Sequence, residues 1–243
     1  MKIAVNHLTR MKFPYICVAG LTGSGSHIRP VIPSDQLHRR LLGEEGGPFS
    51  LGEVVELGST TPRPARPALE DVEFEPYKAS SVRLLGRDAF RKLLKGAAKS
   101  SLSKIFGPDL RRTSRTAAAV PEGRGGASLG VLGPIRKAWI KSRIEMHRPV
   151  IRCSFADSDI GYVSLKVTDL RLWKNDHTTP EVAAVRAIEP QLEGCYLAVG
   201  LTRAWSPHPS EPSEHWLQVN NVFPIHDPLW SRVSRAKGPT RSL

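Results

Sequence analysis

The sequence lacks long apolar runs and paired cysteines. None of its apolar stretches approaches the ~20 residues that span a bilayer, and the chain turns polar at Asn6, too early for the apolar stretch of a signal peptide. Cys17, Cys153 and Cys195 lie far apart and form no Cys-x-x-Cys pair, so neither a disulfide framework nor a zinc site is indicated. We therefore expect a cytoplasmic protein that has no cofactor and no membrane contact.

The composition favours many short strands separated by turns. Apolar residues make up 40% of the chain, enough to build a core, while 20 Pro and 20 Gly interrupt it often. This punctuation argues against a helical bundle. The 243 residues fit one large domain or two small ones.

Acidic residues are scarce in the middle of the chain. Between Arg83 and Arg148 there are 16 Lys or Arg and four acids, a balance of +12 that equals the net charge of the whole chain. The remaining residues therefore sum to zero. Such asymmetry points to a polyanionic partner, nucleic acid first and an anionic membrane surface second. The competing interpretation is a solubilising face with a flexible arm.

Alternating and apolar runs predict the strands. In the first half they lie at 2–6, 15–21, 27–32 and 53–57, and in the second half at 135–144, 150–155, 162–168, 195–202 and 216–223. Phe90, Leu93, Leu94 and Ala97 share one face of a helix that we expect to be capped by Ser80 or Ser81. A second helix is expected after the capping Thr179.

The second half has the element order of a five-stranded Greek-key OB barrel, namely three strands, a helix and two strands. A short echo between the halves favours two related barrels. In each half a strand ends in Gly-Leu-Thr and a later segment begins with His-x-x-x-Val, at His27 and at His215.

At the level of motifs the chain resembles the bacterial dual OB-containing domain family. The resemblance is carried by Ile-Cys-Val-Ala-Gly at 16–20, His-Ile-Arg-Pro-Val at 27–31, Gly-Pro-Phe-x-Leu-Gly-x-Val-Val-x-Leu at 47–57, Val-Thr-Asp-Leu-Arg at 167–171, Tyr-Leu-Ala-Val-Gly-Leu-Thr-Arg at 196–203 and His-Trp-Leu-Gln-Val-Asn-Asn-Val at 215–222. These motifs span nearly the whole chain in order. The resemblance implies two OB-like barrels and a nucleic-acid-recognition role in bacterial genome defence, without known catalytic residues.

We therefore predict a mainly β protein with short helices, in which two OB-like five-stranded barrels are joined by a basic helix and linker. The expected parts are an N-terminal barrel with its closing helix at 1–106, a mobile Gly/Arg-rich linker at 107–133, a C-terminal barrel at 134–230 and a basic tail at 231–243.

Single-strand-binding barrels combine a positive groove with aromatic side chains that stack on bases. Trp139 is the best aromatic candidate because charge flanks it on both sides, whereas Trp216 fits a core position better. Trp173 and Trp205 fit either role, and Arg29 either contacts nucleic acid or pairs with a carboxylate such as Glu53. The predicted nucleic-acid-binding residues are Arg29, Arg87, Arg91, Lys92, Lys95, Arg111, Arg112, Arg115, Arg136, Lys137, Trp139, Lys141, Arg143, Trp173, Arg203 and Trp205.

A metal-dependent nuclease is a further alternative. Asp157, Asp159, Asp169 and the pair Asp176-His177 offer the oxygen ligands that hard cations prefer. However, Asp157 and Asp159 have the composition of a hairpin turn, and Asp169 is well placed for a turn-stabilising pair with Arg171. No third ligand is specified.

Three hypotheses follow. The first is a non-enzymatic protein that binds DNA or RNA, with single strands favoured, and acts alongside another protein of a defence system. The second is an interaction module that docks an acidic partner through the basic linker. The third is the nuclease.

Overall fold

The computed structural model describes residues 1–33 and 35–231, so the predicted basic tail lies outside the described residues except for residue 231. The described chain is mainly β and forms two sheets. The first half contains β1 (Lys2–Arg10), β2 (Tyr15–Leu21), β3 (His27–Val31), β4 (Leu37–His38), β5 (Glu53–Glu56), β6 (Thr60–Pro62), β7 (Asp71–Phe74) and β8 (Ser80–Leu84).

The rest of the described chain begins with a helical segment and continues as strands. It contains α1 (Arg87–Ala97), β9 (Ala98–Lys99), α2 (Ser103–Phe106), β10 (Arg111–Arg112), β11 (Ala118–Pro121), β12 (Leu129–Glu145), β13 (Arg148–Asp157), β14 (Gly161–Lys166), α3 (Val182–Ile188), β15 (Glu193–Leu201) and β16 (Glu214–Phe223). Short 3-10 turns lie at Arg39–Leu41, Gly43–Glu45, Pro76–Lys78, Leu170–Leu172 and Glu189–Gln191. No helix in the described ranges combines the length and apolar character needed to cross a membrane.

The two sheets repeat one pairing pattern. In the first, β1, β2 and β3 pair in succession, β5 returns to β1, β8 pairs with β5, and β7 lies parallel to β3. In the second, β12, β13 and β14 pair in succession, β15 returns to β12, and β16 pairs with β15. A parallel bridge between Val167 and Val219 joins the end of β14 to β16, which curls the second sheet. All the predicted strands are present.

The helix predicted from the apolar spacing is α1. Phe90 and Leu94 are fully buried, so the predicted face is confirmed. The predicted caps are wrong because Ser80 and Ser81 belong to β8, where they pair with β5. The cap at Thr179 is wrong as well, because α3 begins at Val182 and the side chain of Thr179 hydrogen-bonds Asp176 at 2.5 Å.

The segment 107–133, predicted as a mobile linker, supplies strands to the second sheet. Ala119 of β11 pairs with Trp216 of β16, and β12 already begins at Leu129. Ala118, Ala119 and Val120 are buried, because this short apolar run covers the edge of β16. The linker was predicted from the Arg and Gly content of this segment. These residues lie before and after β11 and not within it.

The two sheets pack on each other through both polar and apolar contacts. The side chain of Asn221 on β16 accepts from the backbone N–H of Leu8 at 2.8 Å and donates to its carbonyl at 3.2 Å. Beside this contact, Phe90 and Leu94 of α1 meet Leu21 of the first sheet and Phe223 of the second in one apolar cluster. The rings of Phe90 and Phe223 lie edge to face with centroids 5.5 Å apart.

Candidate nucleic-acid interface

The second half of β12 alternates between core and solvent. Ala138 and Ile140 are buried, whereas Lys137, Trp139 and Lys141 between and beside them are exposed. Alternate residues of a strand point to the same face, so these three side chains stand in a row on the outside of the sheet. The Lys137 ammonium lies 5.4 Å from the centre of the Trp139 ring, within the range of a cation–π contact.

Strand register extends this row across three strands. Trp139 lies opposite Ser154, which lies opposite Ser164, and the two serine hydroxyls are 2.9 Å apart. The neighbouring row consists of Lys141, Arg152 and Lys166. Directly opposed residues share a face of the sheet, and strands are about 4.8 Å apart, so the face is about 10 Å wide. We call this outer surface of β12–β14 the basic face; its members are Lys137, Trp139, Lys141, Arg143, Arg152, Ser154, Tyr162, Ser164 and Lys166.

One carboxylate lies at the end of the basic face nearest the β12–β13 turn. Arg152 donates two hydrogen bonds to Glu145 at 2.9 and 2.8 Å, and Arg143 donates another at 2.5 Å. The hydrogen bond from Arg152 is the main cause that lowers the pKa of Glu145 to about 2, so the carboxylate stays ionised. Arg143 and Arg152 are therefore partly neutralised, while Lys137, Lys141 and Lys166 take part in no ion pair within the described chain.

The basic hairpin β10–β11 borders the open edge of β14. The backbone N–H of Ser164 donates to the carbonyl of Thr116 at 2.9 Å, which fixes the hairpin turn next to the basic face. Arg115 in this turn is exposed, and Arg112 donates to the carbonyls of Ile160 at 2.8 Å and of Arg115. Arg111 forms an ion pair with Glu214. Arg112 and Arg115 thus continue the positive surface beyond β14.

Two tryptophans lie beyond this hairpin. Trp205 is 45% exposed and its ring centre is 5.6 Å from that of Trp216, whose indole N–H donates to the Trp205 carbonyl at 3.1 Å. Trp216 is half-buried and lines a shallow cleft of about 390 Å³ together with Arg111 and Arg112. Exposed Trp205 remains a stacking candidate, and Arg203 beside it is exposed too.

The predicted helix residues lie elsewhere. The buried side of α1 packs on Val131, near the start of β12, up to about 26 Å along the strand from Trp139. Arg87 pairs with Asp227 at 3.0 Å and Arg91 with Asp88 at 2.6 Å. Lys92 and Lys95 are exposed and carry no ion pair within the described residues. Hence α1 forms a separate positive surface. Arg136 is exposed on β12, beside Lys137.

Two predicted contacts belong to the fold instead. Arg29 donates to Asp71 at 2.6 Å, because β3 and β7 run in parallel with these residues in register, so its partner is not Glu53. Burial opposes the charge of Arg29, but the hydrogen bond to Asp71 and the nearby negative charges together outweigh it, and the pKa of Arg29 is raised. Trp173 is 1% exposed, its indole donates to Val167, and the guanidinium of Arg10 covers its ring at 3.5 Å. Trp173 therefore has no free face for a base.

The carboxylates considered for a metal site are dispersed and bound to the protein. Asp157 accepts from the backbone of Leu102 at 2.9 Å, and Asp176 accepts from the backbone of Thr178 at 2.8 Å. Asp169 is fully buried and pairs with Arg171 at 2.8 Å. Among the described residues, no three His, Cys, Asp or Glu side chains come close enough to hold a metal ion.

Sequence reasoning missed five members of the basic face, namely Arg152, Ser154, Tyr162, Ser164 and Lys166. Each is an outward position of a strand that the sequence does predict, and the period of two places Lys166 four residues after Tyr162 on the same side. The alternation within each strand could have indicated these outward positions. The sequence does not give the register that places the three strands side by side.

Comparison with known proteins adds no further information on this surface. The chain matches no protein-family model, and the search of curated proteins found no similar sequence.

Proposed function

We propose that this chain is a non-enzymatic nucleic-acid-binding protein whose main contact surface is the basic face. The observation that carries the proposal is the position of Trp139, an exposed indole between Lys137 and Lys141. An indole stacks on any base, while the lysines neutralise the adjoining phosphates. Tyr162, 50% exposed on β14, offers a second ring.

The charges of the basic face suit a polyanion. The basic face contains five cations on β12–β14, with the carboxylate of Glu145 among them and that of Glu193 on β15 opposite Lys137. Arg112 and Arg115 extend the positive surface at the β14 edge. A phosphate chain crossing from Lys141 to the hairpin would meet cations along the whole path.

We further propose that each sheet is an OB-like barrel, as the resemblance to the bacterial dual OB-containing domain family implies. The shared pairing pattern supports this. If the main strands of each sheet are numbered one to five in chain order, strand one pairs with two and four, two pairs with three, four pairs with five, and three lies parallel to five. In this scheme β7 and β8 together act as the fifth strand of the first barrel. OB barrels bind oligonucleotides across the face of strands two and three, here β13 and β14. A cytoplasmic role in bacterial genome defence fits this proposal.

Single-stranded nucleic acid is the preferred ligand. An exposed Trp139 on a sheet face about 10 Å wide reaches the flat side of an unpaired base, which a duplex hides between its neighbours. The partner is therefore proposed as single-stranded DNA or RNA bound with little sequence preference.

The test is fluorescence anisotropy with labelled single-stranded and duplex DNA and RNA over a range of salt concentrations. For single strands we expect a log–log salt slope of magnitude about 5 or more. Changing Lys137, Lys141 and Lys166 to Ala should reduce this magnitude by about 2, since each phosphate contact contributes about 0.7. The matched control changes Lys92, Lys95 and Lys99, three exposed lysines on and just after α1, and removes the same charge.

Trp139→Ala separates stacking from charge. We expect it to weaken single-strand binding about 5-fold to 150-fold, equivalent to about 1–3 kcal/mol, with an unchanged salt slope. Equal losses in the two lysine variants would show that charge acts without a defined surface and would refute the basic face. Absence of binding at low salt would favour the alternative, a module that docks an acidic protein through Arg112 and Arg115.

A further inference from the structure

The tip of the β12–β13 hairpin exposes two large apolar side chains. Glu145 and Arg148 form the last pair of the ladder, so the turn itself consists of Met146 and His147. Met146 is 92% exposed and Ile144 is 68% exposed. Exposing such large apolar side chains to water is unfavourable compared with burying them, and no other part of the described chain covers them.

The turn also holds its residues in an unusual conformation. Met146 and His147 have φ angles of 47° and 62°, the left-handed values that a two-residue hairpin turn requires and that Asn-Gly adopts most easily. Side chains with a Cβ are disfavoured there, and strain of this kind concentrates at functional sites. The tip therefore keeps a methionine where a glycine or an asparagine would be better for the turn alone.

The surroundings of the tip are positive. Arg143 and Arg148 lie on either side of the two apolar residues, and both are exposed. The nearby carboxylate, Glu145, is held by Arg143 and Arg152. These hydrogen bonds also brace the two strands just behind the tip. Exposed apolar side chains with cations beside them suit a nucleic acid, because its backbone is charged and its stacked bases form an apolar interior.

We propose that the hairpin tip inserts Ile144 and Met146 between neighbouring bases of a nucleic acid whose backbone lies on the basic face. Apolar wedges of this kind unstack a base step, and the flanking arginines then meet the adjacent phosphates. The tip lies at the end of the strands that carry Trp139, and Ile144 lies on the opposite side of β12 from Trp139, so the tip acts on nucleotides that pass over the end of the hairpin. This inference depends on the proposed function.

Insertion is tested with an oligonucleotide that contains the fluorescent adenine analogue 2-aminopurine, whose emission rises when it loses its stacking neighbours. The full chain is added to a single strand and to a duplex carrying the probe, and anisotropy on the same samples reports binding. The variant changes Ile144 and Met146 to Ser. Its matched control changes Leu69 and Tyr77 to Ser, two exposed residues that are 44% and 80% accessible in the first half.

We expect emission to rise when the native chain and the control bind, and to stay low when the tip variant binds. The affinity of the tip variant should fall about 5-fold to 30-fold with an unchanged salt slope, equivalent to about 1–2 kcal/mol. Both side chains point into solvent, so the thermal midpoint of the variant should equal that of the native chain. Binding without a rise in emission, or a rise that the tip variant retains, would overturn the insertion and leave the basic face intact. Absence of any binding would reject the proposed function together with this inference.

Discussion

Acidification should destabilise the junction between the two sheets, where the ring of His7 is buried and that of His27 is half-buried. His7 on β1 and His27 on β3 lie edge to face with centroids 5.1 Å apart. The amide of Asn220 donates to Nδ1 of His7 at 3.0 Å, and the amide of Asn6 donates to Nε2 of His27 at 3.3 Å. The Asn220 amide is oriented by Gln218, which donates to its oxygen at 2.9 Å. Both rings therefore accept hydrogen bonds and are held in the neutral form.

Burial lowers the pKa of both histidines. Burial lowers the pKa of His27 to about 4. Burial is also the main cause that lowers the pKa of His7, and electrostatic interactions with His27 and Arg29 add to this effect. An unfolded histidine has a pKa of about 6.5, so below that pH the unfolded chain binds more protons than the native one. Stability is therefore complete above about pH 7 and falls as the pH decreases from 6.5 towards 4. At pH 5 the shift of His27 alone corresponds to a loss of about 2 kcal/mol, and His7 adds to it in the same direction.

The assay is urea unfolding followed by tryptophan fluorescence at pH 7.5, 6 and 5. Carboxylates titrate mostly below this range, so the histidines dominate the change. His27→Gln should reduce the loss of unfolding free energy between pH 7.5 and pH 5 by about 2 kcal/mol. His208→Gln, a change of an exposed histidine in the loop before β16, should keep the native pH dependence. Equal unfolding free energies of the native chain at pH 7.5 and pH 5 would refute the reasoning.

Two further predictions concern single polar side chains. Asn221→Ala leaves the buried backbone N–H and carbonyl of Leu8 without partners, so urea unfolding should show a loss of about 2–4 kcal/mol, and a loss below about 1 kcal/mol would contradict the role of this contact. Asp169→Ala leaves the half-buried Arg171 without its carboxylate and should cost about 3–5 kcal/mol, whereas Asp159→Ala at an exposed position should cost little. A folded Asp169→Ala variant that lost a metal-stimulated nuclease activity would instead support the nuclease hypothesis.

The strands and the main helix were predictable because their signals are local. The alternation from Ala138 to Lys141 predicts which side of β12 faces solvent, and the apolar spacing from Phe90 to Ala97 predicts the buried side of α1. The helix ends were less predictable. Thr179 has the composition of a cap, but the carboxylate of Asp176 binds its hydroxyl and its backbone N–H.

The partners of individual side chains depend on contacts between distant parts of the chain. Arg29 meets Asp71 only because β3 and β7 run in parallel, and no feature around Arg29 prefers Asp71 to Glu53. Trp173 follows a single 3-10 turn, which has no periodicity to indicate burial. Its burial comes from the apolar core of the second sheet together with Arg10, which crosses from the first sheet to cover its ring. The strand β11 was not predicted for the same reason. It lies in a Gly- and Arg-rich segment, and its partner, β16, is distant in the sequence.

The packing of the two halves explains why the positive charge lies in the middle of the chain. The outer side of β16 is covered by β1, and the start of β12 is covered by α1, so the second sheet keeps a free outer surface mainly at the end of β12 and on β13 and β14. Residues between 111 and 166 supply that surface. Helix α1, which precedes them in the chain, exposes its own outer side to solvent. The neutral flanks supply most of the strands that fill the junction, where an unpaired charge would be costly. Net charge therefore collects on those elements that remain in contact with solvent, and a polyanion bound there would not have to separate the two sheets.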